Sequence, residues 1–284
     1  MLRDTNVLKD YAIHATDGDI GKVTDCFFDD EAWTVRYLVV DTGSWLLGRK
    51  VLISPISIEQ LNWNGIGEKK AISVLITKQQ VEDSPDIDTE MPVSRQHESR
   101  YLGFYGYPTY WGGTGPWAGG AYPGMMMLAY GGLETPPVTS QQSYQALAQD
   151  EQQRLHHHDD IHLRSCKEVK GYHIHATDGE IGHVAGFLLD DETWAIRYIV
   201  VDTSNWWLGH QVLIAPTWIE EIQWLDRTVK INLSRQAIRD AAPYDMTVEL
   251  SRAHEVAIYK QYGHEGYWLP EAITESRIAL EPNV

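Results

Sequence analysis

Apolar positions along the first hundred residues recur with a period of two, in short bursts. Trp33, Val35, Tyr37 and Val39 alternate with Thr34, Arg36, Leu38 and Val40, and both series are largely apolar. That pattern predicts a strand covered on two faces or curled into a small barrel. Five more β-rich runs, VLKDYAIHA, IGKVTDCFF, KVLISP, ISIEQLNW and AISVLIT, are separated by turn signals. Six short strands at this spacing predict a compact six-stranded barrel. Thr77 to Val81 then read as an N-capped short helix ended near Pro85, and Ser234 to Ile238 as its counterpart before Pro243.

The counterpart exists because the pattern is written twice. Aligned without gaps, Leu8 to Gln60 and Val169 to Glu221 share about 30 identities over roughly 53 positions. YAIHATDGDIGKV from Tyr11 returns as YHIHATDGEIGHV from Tyr172, and YGYPTYW from Tyr105 as YGHEGYW from Tyr262. A mainly β architecture of two tandem barrels, each followed by a short helix, is therefore expected. Repeat 1 is assigned to residues 1–102 and repeat 2 to residues 166–284. A linker over 103–165, rich in Gly, aromatics, Met and His, joins them. The tails from Tyr105 to Trp111 and Tyr262 to Trp268 are expected to fold back on a barrel.

Composition narrows the functional classes. A net charge of -17, with no Lys/Arg run to offset it, disfavours direct binding to nucleic acid or anionic membrane. No apolar run approaches the roughly 18 to 20 residues that span a bilayer. Asp4 and Asp10 interrupt the stretch a secretory signal would need, so a cytoplasmic protein is expected. The two cysteines, Cys26 and Cys166, align with Phe187 and Thr5, which excludes a symmetric disulfide or a CxxC metal site.

DGxIGxV, VRYLVVDT or IRYIVVDT, the glycine of WLLG or WWLG, VLIxP and the helix of the [ST][KR]Q-x-[VI] type together resemble the PRC-barrel family. That family is named for the cytoplasmic domain of the photosynthetic reaction-centre H subunit, and a related barrel forms half of a bacterial ribosome-maturation factor. The resemblance implies a six-stranded barrel that serves mainly as a protein-docking module. It points to a non-enzymatic, cytoplasmic bacterial adaptor without a cofactor, whose two barrels pack on each other as an intrachain pseudo-dimer. A metal- or small-ligand-binding regulator and a factor associated with a reaction centre are the alternatives.

Candidate chemistry is sparse. Asp17-Gly18 reads as the central pair of a hairpin turn. His14 and His175 occupy equivalent positions three residues ahead of the Asp-Gly pair, where a pseudo-twofold axis could bring the imidazoles together as a metal or pH-sensing site. His156 to His158 with His162 form the densest ligand set, of which His158 and His162 alone have the i, i+4 spacing of one helix face. Asp29-Asp30-Glu31 and Asp190-Asp191-Glu192 read as solvated turns, and Trp33 and Trp194 as strand residues of the core. Trp45, Trp206 and Trp207 lie in hairpin loops, where they cover a barrel end, close the contact between copies or anchor a partner. Trp117, Met125, Met126 and Met127 form a candidate sticky patch in the linker.

Overall fold

The computed structural model describes residues 1–61, 70–85, 93, 95–111, 116–117, 120–129, 162–203, 210–246 and 248–268. The chain is mainly β. Repeat 1 supplies β2 (Ala12–Ala15), β3 (Gly18–Asp29), β4 (Thr34–Asp41), β5 (Lys50–Ile53), β6 (Ile58–Leu61) and β7 (Ala71–Val74), after an initial β1 (Leu2–Asp4). Repeat 2 supplies β9 (His173–Ala176), β10 (Gly179–Asp190), β11 (Ile196–Asp202), β12 (Gln211–Ile214), β13 (Ile219–Gln223) and β14 (Thr228–Ile231), after β8 (Leu163–Ser165). The expected helices run Lys78–Glu82 and Arg235–Arg239, capped by Thr77 and Ser234. A second helix follows in each copy, Arg95–Tyr105 and Arg252–Tyr262. Among the described residues no helix is long and apolar enough to cross a membrane.

Each sheet holds seven strands, not the six expected. The paths are β5-β4-β3-β2-β7-β6 and β12-β11-β10-β9-β14-β13, and the seventh strand of each comes from the other copy. Neither path is closed by hydrogen bonds, since each ends on two edge strands. Both are nevertheless curled. In a flat sheet β5 and β6 would stand about 24 Å apart, yet only Ser54 to Ser57 join them, a reach of about 14 Å at full extension.

The repeated phrase DGxIGxV serves this curl. Ala15 pairs with Gly18, so the turn residues are Thr16 and Asp17, and Gly18 is the first residue of β3 at φ +146°. The expected Asp17-Gly18 centre thus moves back by one. The reason is the Asp17 side chain: its Oδ1 accepts from the Lys78 backbone N–H at 2.7 Å, and Asp178 does the same for Arg235 at 2.7 Å. Both carboxylates tie a hairpin to the start of a helix. A register shift then follows between Ile13 and His14, and again between Glu180 and Gly182, so that Ile20 and Ile181 reach the core. Gly21 and Gly182 lie where a Cβ would stand 2.0 Å from the carbonyl oxygens of Asp41 and Asp202. Only glycine permits that approach.

The two copies are joined by exchanged strands. β1 pairs with β10 through Leu2–Asp190, Arg3–Leu189 and Asp4–Leu188, and β8 pairs with β3 through Leu163–Asp29, Arg164–Phe28 and Ser165–Phe27. Arg164 reaches Asp30 at 2.8 Å, and Arg3 reaches Asp191 at 3.3 Å. At the centre the Val35 N–H donates to Trp194 O at 2.8 Å and the Ile196 N–H donates to Trp33 O at 2.6 Å. These reciprocal contacts define a pseudo-twofold axis. Trp33 and Trp194 are not strand residues, as their periodicity suggested, but left-handed residues at φ +49° and +60° just before β4 and β11. An aromatic residue there carries backbone strain of about 1 to 2 kcal/mol, offset by the crossed backbone bonds that need this bend. Phe28 stacks on Trp33 at 5.3 Å and meets Phe187 at 5.6 Å, so one core runs through both copies.

The boundaries drawn at 103 and 165 fall inside elements. Gly103 lies within the helix Arg95–Tyr105, and Leu163 to Ser165 belong to the sheet of repeat 1. Leu163 is buried at the seam. Leu163→Ala is expected to cost about 2 to 4 kcal/mol and to lower one shared unfolding transition, monitored by tryptophan fluorescence in urea. Two separate transitions, only one of them shifted, would show that the copies fold independently. Gly182→Ala is expected to destabilise by about 3 kcal/mol or more, measured the same way, because the obstructing atoms are backbone.

Candidate functional site

The strongest concentration of buried ionisable side chains is duplicated. In repeat 1, β4 contributes adjacent Arg36 and Tyr37, and the helix Arg95–Tyr105 presents Arg95 and Glu98 three residues apart, on one face. Tyr37 donates to Glu98 Oε1 at 3.1 Å, and Tyr110 donates to the same oxygen. Asp29 accepts from Arg36 at 3.2 Å and stands 4.0 Å from Arg95. The Arg36 guanidinium lies 3.7 Å from the centre of the Tyr110 ring, and that of Arg95 lies 4.8 Å from the Trp111 ring.

Repeat 2 builds the same arrangement. Tyr198 and Tyr267 donate to Glu255 Oε1 at 3.0 and 2.8 Å, and Arg252 pairs with Oε2 at 2.7 Å. Arg197 lies 4.2 Å from the Tyr267 ring, and Arg252 lies 4.7 Å from Trp268. The tails with the YGxxxYW spacing therefore fold back as straps, held by phenol–carboxylate bonds and arginine–aromatic stacking.

Chemically, Glu98 is the most unusual of these groups. Burial pushes its carboxyl up to about 7, against the lowering effects of the Tyr110 hydrogen bond, the Arg95 charge and the Tyr37 hydrogen bond. A carboxyl near neutrality suits general acid–base work. Access decides against it: Glu98, Tyr37 and Tyr110 are 1%, 1% and 3% exposed, so no substrate reaches the oxygen in this conformation. The cluster fixes the strap.

Other anticipated residues scatter. His14 Nδ1 lies 2.5 Å from Asp19, at the end of β3 remote from the exchanged strands, and His175 occupies the matching end of β10. Those hairpins lie away from the crossing, so the axis does not bring the two imidazoles together. His162 sits at the seam, its carbonyl accepting from the Asp30 N–H at 3.0 Å and its ring 3.6 Å from the Asp30 carboxylate. His158 lies outside the described residues, as do His156 and His157. Among the described residues no three His, Cys, Asp or Glu side chains are grouped to hold a metal.

The acidic turns are not simply solvated. Asp29 is buried beneath two arginines, Asp30 and Asp191 hold the exchanged strands, and Asp190 accepts from the N–H groups of Glu192 and Thr193.

Trp45, in the β4–β5 loop, folds over the neighbouring β2–β3 hairpin, donating to Ile20 O at 2.5 Å with Lys78 Nζ 4.4 Å above its ring. Trp206 and Trp207 fall outside the described residues. Trp117 and Met126, expected in an exposed patch, are buried instead. Trp117 packs over Arg36 at 4.7 Å and donates to Thr193 O at 2.7 Å, which fastens repeat 1 to repeat 2. Met125 is exposed on the helix Pro123–Ala129, whereas the side chain of Met127 is outside the description.

A cavity lies in repeat 2 and another at the seam between the copies. One, about 320 Å³, opens between residues 241–245 and 248–250 and the helix Arg252–Tyr262, and is lined by Tyr244, Val248, Leu250, Ala257 and Ile258 with Asp245, Glu249 and His254. Of its lining residues, Val248 is an exposed large apolar side chain. The other, about 450 Å³, lies at the β1–β10 seam among Asp4, Asn6, Lys170, His183 and Asp202. No family model matches the chain, and no curated protein matches it in sequence.

The Glu98 shift has a signed consequence for stability. A carboxyl whose pKa is raised by folding stabilises most below its ordinary value of 4.5, and that contribution is lost as pH rises through about 7. The stability of the wild type relative to Glu98→Gln should therefore fall by about 1 to 3 kcal/mol between pH 5 and 8, read from urea midpoints. A difference that grows with pH would mean that the phenol donors and Arg95 dominate over burial.

Proposed function

We propose that the chain is a non-enzymatic docking protein in which each curled sheet acts as a PRC-type barrel and the fused pair presents one composite surface to a protein partner. The observation that carries this reading is the apolar cleft of repeat 2, where exposed Val248 gathers with Leu250, Ala257 and Ile258. Exposed apolar residues gathered around a cleft mark interaction sites more often than solvated surface. Asp245 and Glu249 at the cleft, on a chain of net charge -17, favour a partner segment that is apolar at its centre and basic at its flanks. The buried arginines, carboxyls and phenols support the same reading, because they are occupied in holding the straps.

Tandem fusion adds to this. Each copy keeps the other at high effective concentration, so the pair needs no second chain to complete its sheets. A small-ligand-binding regulator is the second reading, favoured by the seam cavity in which Asp202 and His183 face Asp4 and Lys170.

Affinity purification from the native host separates these readings. Val248→Asp combined with Ala257→Asp, both at the cleft, should reduce capture of the co-purifying protein at least about tenfold, equivalent to about 1.4 kcal/mol, while Trp45→Ala leaves it unchanged. Undiminished capture by the double variant would remove the cleft from the interface. Zinc or small-anion titration that gives heat in the wild type and none in His183→Ala would favour the regulator.

A further inference from the structure

The two cysteines belong to different repeats and align with unlike residues, yet the strand exchange sets them opposite each other. The β3–β8 ladder pairs Phe27 with Ser165. One step beyond, the Asp25 carboxylate accepts from the Lys167 N–H at 3.0 Å and from the Ser165 hydroxyl at 2.5 Å. Residues 26 and 166 are thereby bracketed between two fixed contacts. Cys166 opens the short helix Cys166–Val169 and so lies just past the ladder, but the Lys167–Asp25 contact keeps it opposite Cys26; opposed residues of an antiparallel pair have Cα atoms about 4.5 to 5.5 Å apart, with side chains on the same face. A disulfide requires Cα atoms about 4.4 to 6.8 Å apart. Both thiols are buried and free, and a thiolate at Cys26 would push the Cys166 thiol up further. At the pseudo-symmetric seam the corresponding residues are Thr5 and Phe187, so the thiol pair is particular to one seam.

We propose that Cys26 and Cys166 are an oxidative modification site, forming an intrachain disulfide that locks β8 onto β3. The thiolate of one cysteine attacks a low-molecular-weight disulfide, forming a mixed disulfide and expelling one small thiolate. The thiolate of the other cysteine then attacks the protein sulfur of that mixed disulfide and releases the second small thiol. The protein loses two protons and two electrons, and the small disulfide is reduced to two thiols. Burial raises both thiols well above their ordinary range, which keeps the thiolate scarce while the seam is closed. Oxidation therefore proceeds when β8 lifts, and the new bond closes a loop of about 140 residues. This inference rests on the strand exchange and is independent of the docking reading.

The test equilibrates the full chain in glutathione buffers of graded reduced-to-oxidised ratio, followed by acid quench and intact-mass measurement. The folded chain should become two hydrogen atoms lighter, as a monomer, at a ratio at least about tenfold more reducing than the same chain in denaturant. Tryptic mapping without reductant should join Val23–Arg36 to Ser165–Lys167. Cys26→Ser and Cys166→Ala should each abolish the link. Equal midpoints for folded and denatured chain, glutathione adducts as the dominant product, or a bond between two chains would each overturn the proposal. Since the decisive measurement is on the wild type, a variant that fails to fold does not shield it.

Discussion

The structure depends on the exposed edges at the far ends of β3 and β10. Each is a twelve-residue strand whose own hairpin partner covers only its first part: β2 pairs with Gly18 to Lys22, and β9 with Gly179 to His183. With β4 or β11 along one edge, the last residues of the other edge would offer unpaired backbone groups next to a hydrophobic face. Such an edge promotes aggregation. Here the strand preceding the opposite repeat covers it, and three residues suffice because the central Arg3 and Arg164 fix their register on Asp191 and Asp30.

Once the copies interlock, they need not remain identical. Asp25 at one seam corresponds to Gly186 at the other, while Ser165 corresponds to Asp4. One strand supplies the carboxylate in each case: Asp25 accepts from Ser165 and Lys167, and Asp4 caps Asn6 beside Gly186. Pairing repeat 1 with another repeat 1 would set Asp4 against Asp25, two carboxylates competing for one site. The divergence therefore favours the unlike pair. The aromatic straps diverge less, because Glu98 and Glu255 each require two phenol donors in a dry environment, where an unpaired carboxyl is costly.

Much of each sheet was legible. The alternation around Tyr37, the capped helices after Thr77 and Ser234, and the duplication all rest on local spacing, which a single chain displays. What was hidden is non-local. A three-residue strand such as LRD or LRS is shorter than any window in which periodicity can be read, and its partner lies in the other repeat. The matching Leu-Arg at positions 2–3 and 163–164 was the available signal. Trp33 misled because a left-handed residue before a strand keeps the strand's parity, so its period alone cannot reveal the bend. Asp29 looked like an ordinary turn acid for a similar reason: the arginines over it come from β4 and from a helix more than sixty residues away.

The same non-local construction bears on function. Side chains that would suggest chemistry in isolation, namely Glu98, Arg36 and their phenols, are buried beneath the straps. Polarity enclosed in this way confers specificity of assembly, since each partly satisfied alternative would leave a charge unpaired. On the docking reading, recognition falls to what the straps leave open. The two sides differ there: in repeat 1, Arg49 bridges to the carbonyls of Glu82 and Ser84 at 3.1 and 2.8 Å, whereas repeat 2 has His210 and Ala241 at the matching positions and a cleft lined by Ala241. Losing a long cation and a hydroxyl removes the groups that brace this loop, leaving apolar surface beside the helix Arg252–Tyr262. On the docking reading, this loop of repeat 2 is where a partner segment is recognised.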